Sequence, residues 1–205
     1  MTLLGKVASM ATVTRCLWIS QIALSSLLAL CSCIAPSVVS SDGGVSNFGN
    51  RLTTVVPYTL SFSLSVLFLS FAAAALVRVR PDQKWYGLTL VGIAVLDLLV
   101  LVSTYPRHIN LSYSEVHDDL GIALFAYEFV WSIWLLVRGW GREAAGLFSI
   151  EVGGSLVGLL SILKLVHLLY YGQIIGAIGF GLLLVRVLLP IVDADSPLPD
   201  KRPCS

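Results

Sequence analysis

The sequence predicts an all-α, polytopic transmembrane helix bundle of six spans with both termini cytoplasmic. Three observations predict it. First, 57% of the 205 residues are hydrophobic and only 12% are charged, against roughly 25% charged in an average soluble domain, and the mean hydropathy is +0.88. Too few polar side chains remain to cover a water-exposed surface, which excludes a soluble fold and a disordered chain. Second, stretches of about 20 apolar residues, the length that crosses a hydrocarbon core of about 30 Å, recur along the whole chain. Third, Lys and Arg are distributed unevenly between alternate connections.

The first apolar stretch covers about residues 17–39. Its basic flank and apolar run resemble a signal peptide, but no small-x-small cleavage site follows it, so it reads as a retained helix. The second covers about 57–77, the third about 85–103 and the fourth about 120–137. An apolar block from about 145 to 192 follows; as one helix it would be about 72 Å long, more than twice the core. It is therefore expected to fold back near His167–Gln173, giving spans at about 145–168 and 172–192. Residues 1–192 form the transmembrane domain in this reading. Residues 193–205, with two prolines and no apolar period, form a cytoplasmic tail.

Lys6, Arg15, Arg78, Arg80, Lys84, Arg138, Arg142, Arg186, Lys201 and Arg202 fall on the side of the N-terminus, and only Arg51 and Arg107 on the other. This bias supports an even number of spans and cytoplasmic termini in a cell membrane. Trp18, Trp85, Tyr86, Trp140, Tyr170 and Tyr171 lie near span ends, as an interfacial belt does, whereas Trp131 and Trp134 sit deeper and are expected between helices.

Small residues repeat at helical spacing in the last two spans. Gly154 and Gly158 form one GxxxG and Gly172 and Gly176 another. In lipid this pattern lets two backbones approach closely, here expected between spans five and six, with a subunit contact as the alternative.

Ionisable groups inside spans are costly, by about 2.5–3.5 kcal/mol at a helix centre, and mark candidate sites. They are Asp97, Glu128, Glu151 and Lys164, with His167 one turn after Lys164. At 1.5 Å per residue, Asp97 lies about 18 Å above the inner end of its span and Glu128 about 12 Å below the outer end of the next, so the two are nearly level. Joined by one loop, these spans are expected to be neighbours. Asp97 and Glu128 can then face each other as a proton-sharing or cation site, or each can bond a neighbouring Ser, Tyr or Trp. Glu151 is nearer the cytoplasm, where a structural pair with Arg138 or Arg142 is expected. Lys164, His167, Tyr170 and Tyr171 are spaced to share one helical face. An outer polar pocket is expected where they meet His108, His117, Asp118 and Asp119 of the second outer loop.

No HExxH, GxSxG, P-loop or dinucleotide fingerprint occurs, and a lone His117 beside two Asp is a thin metal signal, so no metal site and no cofactor is assigned. Cys16, Cys31, Cys33 and Cys204 contain no CxxC and are expected as free thiols. Nucleic acid is excluded for want of a basic patch beyond the orientation charges. The expected partners are membrane lipids and other membrane-protein subunits.

The polar loop SDGGVSNFGN before an apolar helix and basic turn, and the loop STYPRHINLSYSEVHDDLG before the fourth span, resemble bacterial six-helix membrane proteins of uncharacterised function and, more distantly, the DRAM/Sfk-like group. Asp42, Gly43, Ser46, Asn47, His117 and Gly121 carry the likeness. It implies a six-helix fold and a role in membrane lipid handling, and no reaction. The sequence alone therefore favours a non-enzymatic accessory subunit or lipid-binding protein. Its alternatives are a small proton-coupled transporter using Asp97 and Glu128, and an intramembrane enzyme with an outer-leaflet site.

Overall fold

A computed structural model describes residues 3–40, 44–105, 111–139 and 141–193, and the account below concerns these. They form helices α1 (Leu3–Ile34), α2 (Pro36–Val39), α3 (Val55–Val79), α4 (Lys84–Thr104), α5 (Leu111–Arg138), α6 (Arg142–Ile162) and α7 (Leu169–Asp193), and no strand. Six of them (all but α2) are long and apolar enough to cross a membrane. Their outward faces keep Phe71, Leu98, Leu99, Val102 and Val130 exposed. In water that surface would aggregate; in lipid it is the expected exterior.

Helix ends follow local chemistry. Pro36 has no N–H to continue the ladder, so α1 stops at Ile34 and the chain restarts as the short α2 with proline in its first turn. The first span thus ends before the 39 expected from hydropathy. Pro81 likewise restricts Arg80, and α3 ends at Val79. Arg80 then pairs with Asp82 at 3.5 Å.

The largest departure from the expected spans lies between the last two. α6 ends at Ile162, six residues before the expected 168, and the chain turns over 163–168. Lys164 adopts the left-handed conformation, φ 57°. The N–H of Leu165 reaches back to the Leu160 carbonyl at 2.9 Å, the long return bond of a Schellman-type cap. Glycine contacts explain where the turn falls. A Cβ on Gly172 would lie 2.7 Å from Gly158 Cα, and one on Gly154 would lie 2.8 Å from Gly176 Cα. The two GxxxG segments pack backbone against backbone within one chain, and that match fixes the register of α6 on α7. For Gly172 to face Gly158 it must already lie within α7, so the reversal falls earlier.

Antiparallel neighbours α1–α3, α3–α4, α4–α5 and α6–α7 build the bundle, and α7 joins the two halves by touching α1 and α5. The larger core, including Leu76, Leu90, Leu135, Leu183 and Leu188, fills the half nearer the basic turns. A smaller cluster around Phe48, Tyr58, Val38 and Tyr170 lies at the opposite, loop end. There the 3-10 segment Val45–Asn50 folds back onto the bundle, with Phe48 fully buried. It is pinned by Thr54 Oγ1, which donates to the Phe48 carbonyl at 2.7 Å. Trp131 and Trp134 pack against the larger core and against each other, with Tyr86 against Trp134.

Candidate functional site

A cavity of about 100 Å³ lies between α1, α3, α4, α5 and α7. Most of its wall is aliphatic and aromatic. Its polar groups come from separate helices: Gln21 from α1, Ser65 from α3, Asp97 from α4, His117 and Glu128 from α5, and Gln173 from α7. Val45 and Ser46 of the 3-10 segment reach it from the loop end.

Each helix is positioned by contacts one can name. Ser20 of α1 bonds Ser65 of α3 at 3.0 Å, and Ser65 Oγ donates to Asp97 Oδ2 at 3.5 Å. Tyr58 on α3 bonds Thr104 on α4 at 3.1 Å, and Ser103 on α4 bonds His117 Nδ1 at 2.9 Å. These bonds step along antiparallel helices, so α3, α4 and α5 are held in register above and beside the two acids. At the loop end the Val45 N–H donates to Gln173 Oε1 at 2.7 Å, tying the 3-10 segment to α7.

The two acids differ in their partners. Asp97, buried on the α4 wall, accepts from Ser65. Glu128 is 9% exposed, faces the same cavity from α5, and receives no hydrogen bond among the described residues. A buried carboxylate without hydrogen bond or counter-charge is unfavourable by several kcal/mol. Its electrostatic neighbours are acidic, Asp97 on one side and Glu151 on the other. The arrangement therefore brings two buried acids and the His117 imidazole to one cavity, with no Lys or Arg among its lining residues.

Glu151 is only 2% exposed and lies deep in α6, where the Gly179 backbone of α7 packs on its own backbone. The expected pair with Arg138 or Arg142 does not form. Arg138 instead lies over the Trp134 ring at 5.2 Å, and Glu143 rather than Glu151 takes an ion pair at this end, with Arg186 at 2.7 Å. The helix rotation that packs Gly154 onto α7 carries Glu151 inward, on the same face, away from both arginines. Its Oε2 and the hydroxyl of Ser132, the α5 residue beside it, have no partner beyond each other among the described residues.

The outer pocket expected around Lys164 is not assembled among the described residues. Lys164 and His167 lie in the turn between α6 and α7 and are exposed, because the helix that would have aligned them with Tyr170 and Tyr171 ends at Ile162. They are thus not intramembrane groups of span five. Tyr170 turns inward and bonds Ser32 of α1, while Tyr171 stays exposed. His117 is buried at the cavity, whereas Asp118 and Asp119, rotated round the helix, are exposed. No group of three metal-ligating residues occurs among the described residues. His108, Asp42, Gly43, Trp140, Cys204 and the tail lie outside the described residues. Cys31 is buried and Cys33 exposed, on different faces of α1, and neither is in a disulfide.

Sequence reasoning missed Gln21, Ser65, Gln173 and Ser132. The first and third are amides within apolar runs, a detectable signal. Serine in a membrane helix is too common to single out before its neighbours are known.

No family model matches the chain, and no curated protein and no solved structure shows significant similarity to it. It is a multi-pass membrane protein by its six apolar helices.

Proposed function

We propose that this protein is a small membrane carrier that exchanges protons for a compact organic cation at the cavity between Asp97 and Glu128. The observation that carries this reading is Glu128: a buried carboxylate, unpartnered by hydrogen bonds, facing a cavity opposite a second carboxylate. A proton or a cation can supply the missing counter-charge. Both would compete for the same oxygens, so binding of one displaces the other, which is the elementary step of exchange.

The lining selects the cation class. Tyr58, Phe62, Phe125 and Phe180 among its residues suit an ammonium or guanidinium group, which aromatic faces attract. The reading as an accessory subunit or lipid-binding protein rests on small size, short loops, the lack of an enzymatic motif and the glycine-rich faces of the last two spans. Those faces are used in joining α6 to α7, so that motivation is weakened. On the distribution of Lys and Arg, the basic end faces the cytoplasm in this reading.

The test is reconstitution of the full chain into vesicles that hold a pH-sensitive dye. Tetramethylammonium, choline and guanidinium are then added outside one at a time. At least one is expected to enter and drive protons out, and Asp97→Asn and Glu128→Gln should each abolish the exchange while the protein still elutes as a folded species. Failure of all three cations to move protons in the wild type refutes the reading.

A further inference from the structure

Glu151 and Ser132 are left unexplained by the cavity, since neither lines it. Ser132 lies four residues after Glu128 on α5, so the two share a helix face. Glu151 faces them from α6: it is within electrostatic reach of Glu128 and beside Ser132. At 1.5 Å per residue, Glu128 is about 15 Å from the basic end of α5 and Glu151 about 14 Å from that of α6.

The Ser132 hydroxyl is unusual for this protein. Ser26, Ser32, Ser70, Ser149 and Ser161 each donate to the carbonyl four residues back in their own helix. Ser132 is fully buried and makes no such bond; its hydroxyl stands beside the Glu151 carboxyl. Neither that hydroxyl nor Glu151 Oε2 has a partner beyond the other among the described residues. Under-satisfied polar atoms in a dry interior are costly. An acid and a hydroxyl left to each other beside Glu128 need an explanation beyond packing.

We infer that Ser132 and Glu151 form the limb of a proton path that leads from Glu128 away from the cavity. The inference rests on the carrier reading above. In the step, the Glu128 Oε–H bond breaks and its proton goes to Ser132 Oγ, while the hydroxyl hydrogen of Ser132 passes to Glu151 Oε2. One proton moves from Glu128 to Glu151, the serine ends neutral, and nothing is oxidised or reduced. Glu128 is left as a carboxylate, ready for the cation. The other polar groups around this row are Gln21 on α1, Tyr58 and Ser65 on α3, Asp97 on α4, His117 on α5 and Gln173 on α7, all on the cavity side. Glu151 is the acid on the far side and nearly level with Glu128, so it draws the proton sideways, out of the cavity and onto α6.

Two transport modes separate the limbs. Counterflow of labelled tetramethylammonium against unlabelled tetramethylammonium requires only the cavity. Uptake driven by a pH gradient requires proton release as well. Positioned proton-transfer groups contribute about 10²–10⁴ in rate. Glu151→Gln is therefore expected to lower gradient-driven uptake on the order of a hundredfold while counterflow persists, Ser132→Ala to lower it by less, and Glu151→Asp to recover part of it. Full gradient-driven uptake in Glu151→Gln overturns the inference, and so does equal loss of both modes in that variant. If Glu151→Gln fails to fold, Ser132→Ala decides, and unchanged gradient-driven uptake there overturns the inference. A wild type that shows neither mode removes the carrier reading itself, an outcome distinct from both.

Discussion

The α6–α7 seam allows a sharp test, because its four GxxxG glycines are not equivalent. A Cβ on Gly172 would meet Gly158 Cα at 2.7 Å and the Gly154 carbonyl oxygen at 2.9 Å, whereas a Cβ on Gly158 would meet nothing within 4 Å. Favourable carbon–carbon contacts lie at about 3.5–4.0 Å. Gly172→Ala must therefore push α6 and α7 apart by about 1 Å, against backbone that cannot rotate away. Overpacking of this kind costs about 1–3 kcal/mol. Alanine in place of glycine inside a helix returns about 0.5–1 kcal/mol. The expected net loss for Gly172→Ala is about 1–2 kcal/mol, and Gly158→Ala should be neutral or stabilising by up to about 1 kcal/mol. Reversible unfolding of the purified protein in mixed detergent micelles measures both, with Gly153→Ala, another position open to a Cβ, as a control. Equal destabilisation by Gly172→Ala and Gly158→Ala, or none by Gly172→Ala, would refute the argument that α6 and α7 meet in this register.

Further outcomes follow from single contacts. Lys164→Gly relieves a left-handed backbone that costs an ordinary residue about 1–2 kcal/mol; the same unfolding assay should show a gain of about 1 kcal/mol, and a loss would place the turn elsewhere. Gln173→Ala removes the acceptor of the Val45 N–H and should loosen the segment Val45–Asn50, seen as faster amide exchange there with the transmembrane helices unchanged. Phe48→Ala empties a fully buried site in the loop-end cluster and should cost about 3–5 kcal/mol of stability, read from the unfolding midpoint. Reporter fusions at either end should report the cytoplasm, as the basic residues imply; a fusion active outside would reverse the orientation.

Much of the architecture was legible because a bilayer imposes a one-dimensional constraint. A helix must be apolar for about 20 residues to cross it, and composition records that directly. Asp97 and Glu128 stood out for the same reason: acids in such stretches are conspicuous, and level positions on consecutive spans brought them within range. Lys164 and His167 misled because hydropathy sees leucines and not backbone angles. The aliphatic run continues through 159–165, yet the chain has already turned at Lys164. Glu151 misled in another way. Its distance along the helix from Arg142 was right, but its rotation about the helix axis depended on which face carries Gly154, and that face is turned towards α7.

By itself, the sequence determined that the chain lives in a membrane, that it crosses six times, and which few charged groups lie where charge is unfavourable. Tertiary structure alone decided which of those groups meet. It brought Asp97 and Glu128 to one cavity, set Glu151 of α6 beside Glu128 and Ser132 of α5, and left Lys164 and His167 in an exposed turn. The physical reason is that depth along a span follows from counting residues at a fixed rise. Azimuth and register follow from how neighbouring backbones fit, and here a handful of glycines between α6 and α7 fix them.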